Sequence, residues 1–230
     1  DFDTAMIEQE FGPQFADYIS PAPYLRLERE FRTVTPQRQI IDTPDKENAY
    51  FRARIDFRLR DDDPDAAALY VANNLFGGYG GLSNRLIDRL RQKDGLSYHA
   101  GSTLSMSTRQ HLSSWSVDIM AAPQNIIRAE QAFSEELRRV RRDGFSDREI
   151  AEAKKGIIEA RAVTRSQDTS IASRWLSLMD QQRDWQFSKD FEARVLAATP
   201  AQINAVFSKY IEPEQLSIVI AGDIRKTAAK

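Results

Sequence analysis

The sequence predicts an α+β fold, an antiparallel-rich mixed β-sheet with helices packed on one face. Three observations carry that expectation. "AYFRARIDFRLR" (49–60) alternates apolar and polar side chains; a block of helical periodicities fills residues 123–210; "LSIVIAG" (216–222) reads as a closing strand. Early strands, then helices, then a returning strand separate the two element types along the chain, the pattern of α+β architectures.

The elements follow in order. Residues 1–37 carry three prolines in "GPQFADYISPAPYLRLEREF" and read as a linker or entry segment, with the folded domain over 38–230. Phe51, Ala53, Ile55, Phe57 and Leu59 fall on one face of the first strand, and Arg52, Arg54, Asp56, Arg58 and Arg60 on the other. A period of two over that length gives one buried and one wet face. "DDDPDAAALYVANNLFG" then predicts a helix with Asp63 as N-cap and Pro64 at the first helical position. A further helix is expected from Ser83 to Lys93, stopped by Gly95, which is free to take positive φ. Two strands follow, one with Tyr98, Ala100, Leu104 and Met106 on a side, the next with Trp115, Val117 and Ile119. Ile126, Ile127, Ala129, Phe133, Leu137 and Val140 mark a long helix that opens at Pro123 and breaks at Gly144. Ser146 with Glu149 forms a capping box for the next helix, and Thr199, Pro200 and Gln202 open the last one.

Composition narrows the function. The 32 basic and 34 acidic side chains leave a net charge of −2, without the basic excess that non-specific nucleic-acid binding requires. No apolar run reaches the roughly 20 residues that span a bilayer. With no cysteine, disulfides and thiolate metal sites are excluded. The chain opens at Asp1 rather than methionine and reads as a fragment of a longer protein.

The stretch "LFGGYGGLSNRLIDRLRQKDGLSY" (75–98) puts Gly77, Gly78, Gly80 and Gly81 within five positions. A P-loop needs a lysine and a hydroxyl after its last glycine, whereas Leu82, Ser83 and Asn84 follow here. No βαβ unit surrounds the glycines, so the dinucleotide reading fails too. They read as a flexible, positive-φ hinge or loop between helices. A zinc peptidase helix needs two histidines one turn apart beside a glutamate; His99 and His111 are the only histidines, and no H-E-x-x-H or H-x-x-E-H is present. His99 and His111 on neighbouring strands could share a metal, but two surface histidines are the cheaper account, and no metal is expected in this chain. There is no G-x-S-x-G either. What remains is Arg91 in the last turn of a helix and Tyr98 opening the strand after Gly95. Both can donate to a carbonyl or carboxylate of an extended peptide, although an arginine and a tyrosine in such places are commonly structural.

"GGLSNRLIDRLRQKDGLSYHAGS" resembles a segment of the carboxyl-terminal domains of pitrilysin/insulinase-type zinc metallopeptidases, where a small-residue turn and an SRL…LR…GL.Y helix-turn-strand recur. "FSDREIAEAKKGIIEAR" resembles the capped helix that follows in those domains, and "LSIVIAGD" their terminal strand. The resemblance runs over about residues 38–223. It implies the metallopeptidase (LuxS/MPP-like) fold and the non-zinc-binding half of a peptidase that hydrolyses peptides in an enclosed chamber. In that family a catalytic H-x-x-E-H domain, fused upstream or supplied as a separate subunit, holds the zinc. The partner domain contributes an arginine and a tyrosine to the peptide substrate, and these positions fall on Arg91 and Tyr98. This chain alone is then expected to be inactive and to hold no cofactor. Bacterial members point by analogy to the periplasm. Two rivals stand beside this reading, a degenerate non-catalytic core subunit of the same fold and a protein-binding module that uses the arginine face of residues 52–60.

Overall fold

The computed structural model describes residues 3–78 and 84–227. Five strands form one mixed sheet in the order β1-β5-β2-β4-β3, with β1 at Arg38–Asp42, β2 at Ala49–Phe57, β3 at His99–Ser105, β4 at Ser113–Ala121 and β5 at Ser217–Gly222. The β1–β5 pair is parallel; the β2–β5, β2–β4 and β3–β4 pairs are antiparallel. The sheet is therefore antiparallel-rich and mixed, as the alternation predicts.

Register explains which residues are buried. Ile220, Phe51, Ile119 and Ala100 stand opposite one another across four strands, and Ala53, Val117 and Ser102 form the next row. Phe51, Ala53, Trp115, Val117, Ile119 and Ile220 are fully buried, because this face receives the helices. The opposite face is wet, and its arginines already have partners. Arg52 pairs with Asp118 at 3.2 Å, Arg54 with Asp56 at 2.7 Å and Arg60 with Asp62 at 2.5 Å. Arg58 lies 5.3 Å from the centre of the Phe31 ring. The alternating stripe is a solvated sheet face with internal charge pairing.

The helices are α1 (Thr4–Ala16), α2 (Ala66–Phe76), α3 (Arg85–Ile87), α4 (Ile126–Asp143), α5 (Asp147–Thr164), α6 (Asp168–Asp180), α7 (Trp185–Ala197) and α8 (Pro200–Tyr210). α1 buries no residue. The predicted stripe of α4 is realised, with Ile126, Ala129, Phe133, Leu137 and Val140 buried. Both capping boxes form, Ser146 with Glu149 and Thr199 with Gln202. Phe76, Phe133, Phe207 and Trp115 meet at the centre of the core, with ring centroids 5.5 to 6.3 Å apart. That spacing is the usual range for offset and edge-on aromatic pairs.

One expectation fails locally. α2 begins at Ala66 rather than at Pro64, because Asp63 is spent on the preceding turn, where its carboxylate accepts from the Arg60 N–H at 2.6 Å.

A buried polar network fastens α2 to the sheet. The Asn73 side-chain oxygen accepts from Ser102 Oγ at 2.8 Å on β3 and from Trp115 Nε1 at 3.0 Å on β4. All three residues are buried; Trp115 Nε1 relies on this acceptor, while Ser102 Oγ also reaches the Asn73 backbone carbonyl at 3.4 Å. Asn73→Ala is expected to lower unfolding free energy by about 1–3 kcal/mol, since the buried Trp115 donor loses its partner and Ser102 the shorter of its two contacts. Urea denaturation reads this, and a loss under about 0.5 kcal/mol would mean that the network carries no stability.

Candidate functional site

The candidate site is the connection from the end of α2 to β3. Gly77 and Gly78 are both buried there, and neither has positive φ; Gly77 stands at φ −162, an extended value open to any residue. Their smallness serves close approach instead. A Cβ on Gly77 would meet the Ser102 backbone nitrogen at 2.9 Å, and one on Gly78 would meet Asn74 Cα at 2.7 Å. The Ser102 N–H donates to the Gly77 carbonyl at 2.7 Å, which fixes α2 against β3. For these two positions the flexible, positive-φ hinge is thus corrected to a tight packing contact. Gly80 and Gly81 lie outside the described residues.

Asn84 restarts the helix. Its Oδ1 accepts from the Ile87 N–H at 2.9 Å, and its Nδ2 donates to the Gly78 carbonyl at 3.3 Å. The predicted helix to Lys93 exists but changes type, with α3 passing into a π-helical segment over Asp88–Lys93. Each π turn takes in an extra residue, a geometry frequent at functional sites. Leu86 and Leu90 are buried beneath it. Gly95 ends the segment at φ +60, the left-handed geometry predicted for it, and the Leu96 N–H closes onto the Leu90 carbonyl at 2.8 Å.

Three arginines of this segment separate by environment. Arg85 makes a bidentate contact to Glu149 at 2.6 and 2.9 Å, with Glu136 a further 3.6 Å neighbour. Arg89 holds Asp94 at 2.8 Å and Glu135 at 2.7 Å. Arg91 is exposed, and among the described residues its guanidinium has no hydrogen bond or ion pair. Tyr98 sits just before β3, anchored by its N–H to the Met120 carbonyl at 2.9 Å. The residue is 61% exposed, although Ala100 and Ser102, of the same parity, are buried. No side chain among the described residues engages its hydroxyl. The structure therefore sets Arg91 and Tyr98 on one helix-turn-strand unit, both open to solvent.

Glu149 holds the unit in place. Burial works to raise its carboxyl pKa, but hydrogen bonds from Arg85 and Ser146 outweigh that and leave it below the ordinary value. Beneath it Glu136 is 1% exposed; one oxygen accepts from Arg139 at 2.7 Å, and the other has no partner among the described residues.

The two histidines do not form a metal site together. His99 pairs across the sheet with Met120, while His111 lies in the loop at the other end of the β3–β4 hairpin. Six strand residues separate those ends, roughly 20 Å, so the two histidines cannot share an ion. No group of three or more potential ligands occurs among the described residues. No described helix is long and apolar enough to cross a membrane.

A depressed carboxylate pKa contributes stability that is complete above its unfolded value and is lost as pH falls through the folded one. The Glu149 contribution is therefore expected to be intact above about pH 4.3 and to fade below it. Thermal denaturation of the parent and of Glu149→Gln checks this, the variant being less stable at neutral pH and the gap narrowing in acid. A gap independent of pH would refute it.

No curated protein matches this chain. Solved structures do. A peptidase M16 inactive domain from Pseudomonas fluorescens superposes with TM-score 0.79 at 19% identity, over 96% of this chain and 52% of that one. A protease from Helicobacter pylori gives 0.81 at 14%, over 96% and 53%. The inactive peptidase domain of a proposed zinc protease from Bordetella parapertussis gives 0.63 at 15%, over 75% and 91%. At these identities the likeness is one of fold, and the chain spans about half the length of the first two. The family model described as the peptidase M16 inactive domain matches residues 1–157, and the chain belongs to that family.

Proposed function

We propose that this domain is the substrate-binding, non-zinc half of a zinc-dependent peptidase and closes one side of an enclosed chamber. One observation carries the reading. Arg85 and Arg89 are consumed by carboxylates, whereas Arg91 and Tyr98 on the same unit have exposed donors without partners among the described residues. A guanidinium and a phenol held on a rigid scaffold suit an extended peptide, whose carbonyls accept and do not donate. Arg91 grips a backbone carbonyl or carboxylate. The Tyr98 hydroxyl donates to the scissile carbonyl and favours the oxygen as negative charge builds on it.

The zinc and its activated water belong to a catalytic H-x-x-E-H domain, fused upstream or separate, because the residues here do not fit a metal. The isolated chain is accordingly expected to cleave nothing.

The test is Arg91→Ala and Tyr98→Phe in the assembled peptidase. Each is expected to lower kcat/KM by about 10-fold or more, the scale of one lost hydrogen bond to a charged or developing-charge partner. Unchanged kcat/KM in both would remove the role assignment. A complete protein with no zinc-binding half would instead favour a non-catalytic core subunit.

A further inference from the structure

A second cleft lies in the helical layer, where α2, α5, α6 and α7 meet. Its volume is about 310 Å³, at the small end of ligand-binding cavities. Arg161, Arg165 and Arg174 line it together with Tyr70, Ile171 and Trp185, and no acidic residue is in the lining. Three cations around one cavity call for a counter-charge.

The protein supplies only part of it. Glu192, behind the wall, accepts from Arg161 Nε at 2.8 Å and from Arg165, so one carboxylate serves two guanidiniums. Arg174 has less. Its Nε and Nη2 reach only the Ser188 hydroxyl, at 3.3 and 3.1 Å, a neutral acceptor that is itself buried. No carboxylate lies within ion-pair distance of Arg174 among the described residues. Asp61 exerts an opposing pull from a distance, but Arg183 already binds it through two contacts at 2.6 and 2.9 Å. Burial, and after it the repulsion of Arg161, pull the Arg174 pKa below its ordinary value, with Asp61 opposing. A half-buried guanidinium without its own anion carries an uncompensated desolvation cost, which a bound anion would relieve.

The rest of the wall mixes neutral polar groups, Asn74, Thr164, Ser170 and Ser188, with aromatic and aliphatic side chains. Trp185 stacks on Trp175 with centroids 5.9 Å apart and planes at 22°, which supports the indole in the lining. Tyr70 packs edge-on against Phe191 at 5.5 Å. Three cations in one lining with aromatic and aliphatic side chains define an amphipathic site.

We propose that this cleft binds a small organic carboxylate carried on an apolar or aromatic body, its carboxylate at Arg174 and Arg161 and its body against Trp185 and Ile171. This site is separate from the Arg91–Tyr98 unit and does not depend on the peptidase reading.

The test is isothermal titration of the intact protein with N-acetyl-phenylalanine and with its neutral amide. Binding of the acid, at least ten-fold tighter than the amide, is expected. Arg174→Gln and Ile171→Glu should each weaken the acid at least ten-fold. Ile171 is 37% exposed, so a carboxylate placed there repels the ligand without opening the core and decides the matter if Arg174→Gln misfolds. Equal affinity for acid and amide, an affinity that Ile171→Glu leaves unmoved, or no binding at all because another segment of the intact protein fills the cleft would each overturn the proposal.

Discussion

The Glu149 carboxylate is the contact on which the candidate site depends. It accepts from the Ser146 backbone at 2.9 Å and hydroxyl at 2.6 Å, closing the α5 capping box. It also receives both prongs of Arg85 from α3. One side chain thus starts a long helix and moors a short one. A three-residue helix leading into a π segment has little stability of its own, since helix formation is cooperative with a costly nucleus. Its place is set from outside, by Leu86 and Leu90 in the core and by charge pairs to α4 and α5. Bidentate, partly buried pairs of this kind hold geometry better than exposed single contacts do.

That mooring also selects which side chains stay available. Arg85 and Arg89 are four residues apart and lie toward α4 and α5, where Glu135, Glu136 and Glu149 wait. Arg91 does not join them. On the other side of the turn Tyr98 has the parity of the buried face of β3 yet remains exposed. The same turn that buries Leu96 therefore presents a cation and a phenol at the surface. Rigid support under free donors is what pre-organised recognition needs, because little conformational entropy is then lost when a peptide binds.

Much of the fold was legible because period and caps are local signals. The alternation of 51–60, the stripe of α4 and both capping boxes are written within a few residues of where they act, and each forms. The errors came where a residue had a second use, near or far along the chain. Asp63 has the chemistry of an N-cap but caps a turn, and Gly77 is small for the sake of Ser102, twenty-five positions on. The π segment gives no sequence sign, since Leu86 and Leu90 are spaced as in an α-helix. Arg91 and Tyr98 stood out by flanking the turn, and a resemblance strengthened that weak signal; nothing local showed that Arg85 and Arg89 would be consumed by carboxylates. Only the positions of the acidic residues on α4 and α5 do that.

The arginine cleft was invisible for the same reason. Arg161 on α5, Arg165 at its C-cap and Arg174 on α6 would each pass for an ordinary surface charge. Folding gathers them around one cavity and leaves a single carboxylate, Glu192, against two of them. The wet face of the sheet offers a contrast within the same protein. There each arginine of the stripe has an acid or a ring beside it, and nothing is owed to a ligand. A chain whose overall charge is nearly balanced can thus place a local surplus where a cavity, rather than open solvent, receives it. Charge left unpaired in a cavity has few ways to be neutralised except by binding, which is why the cleft and not the stripe carries an inference about a ligand.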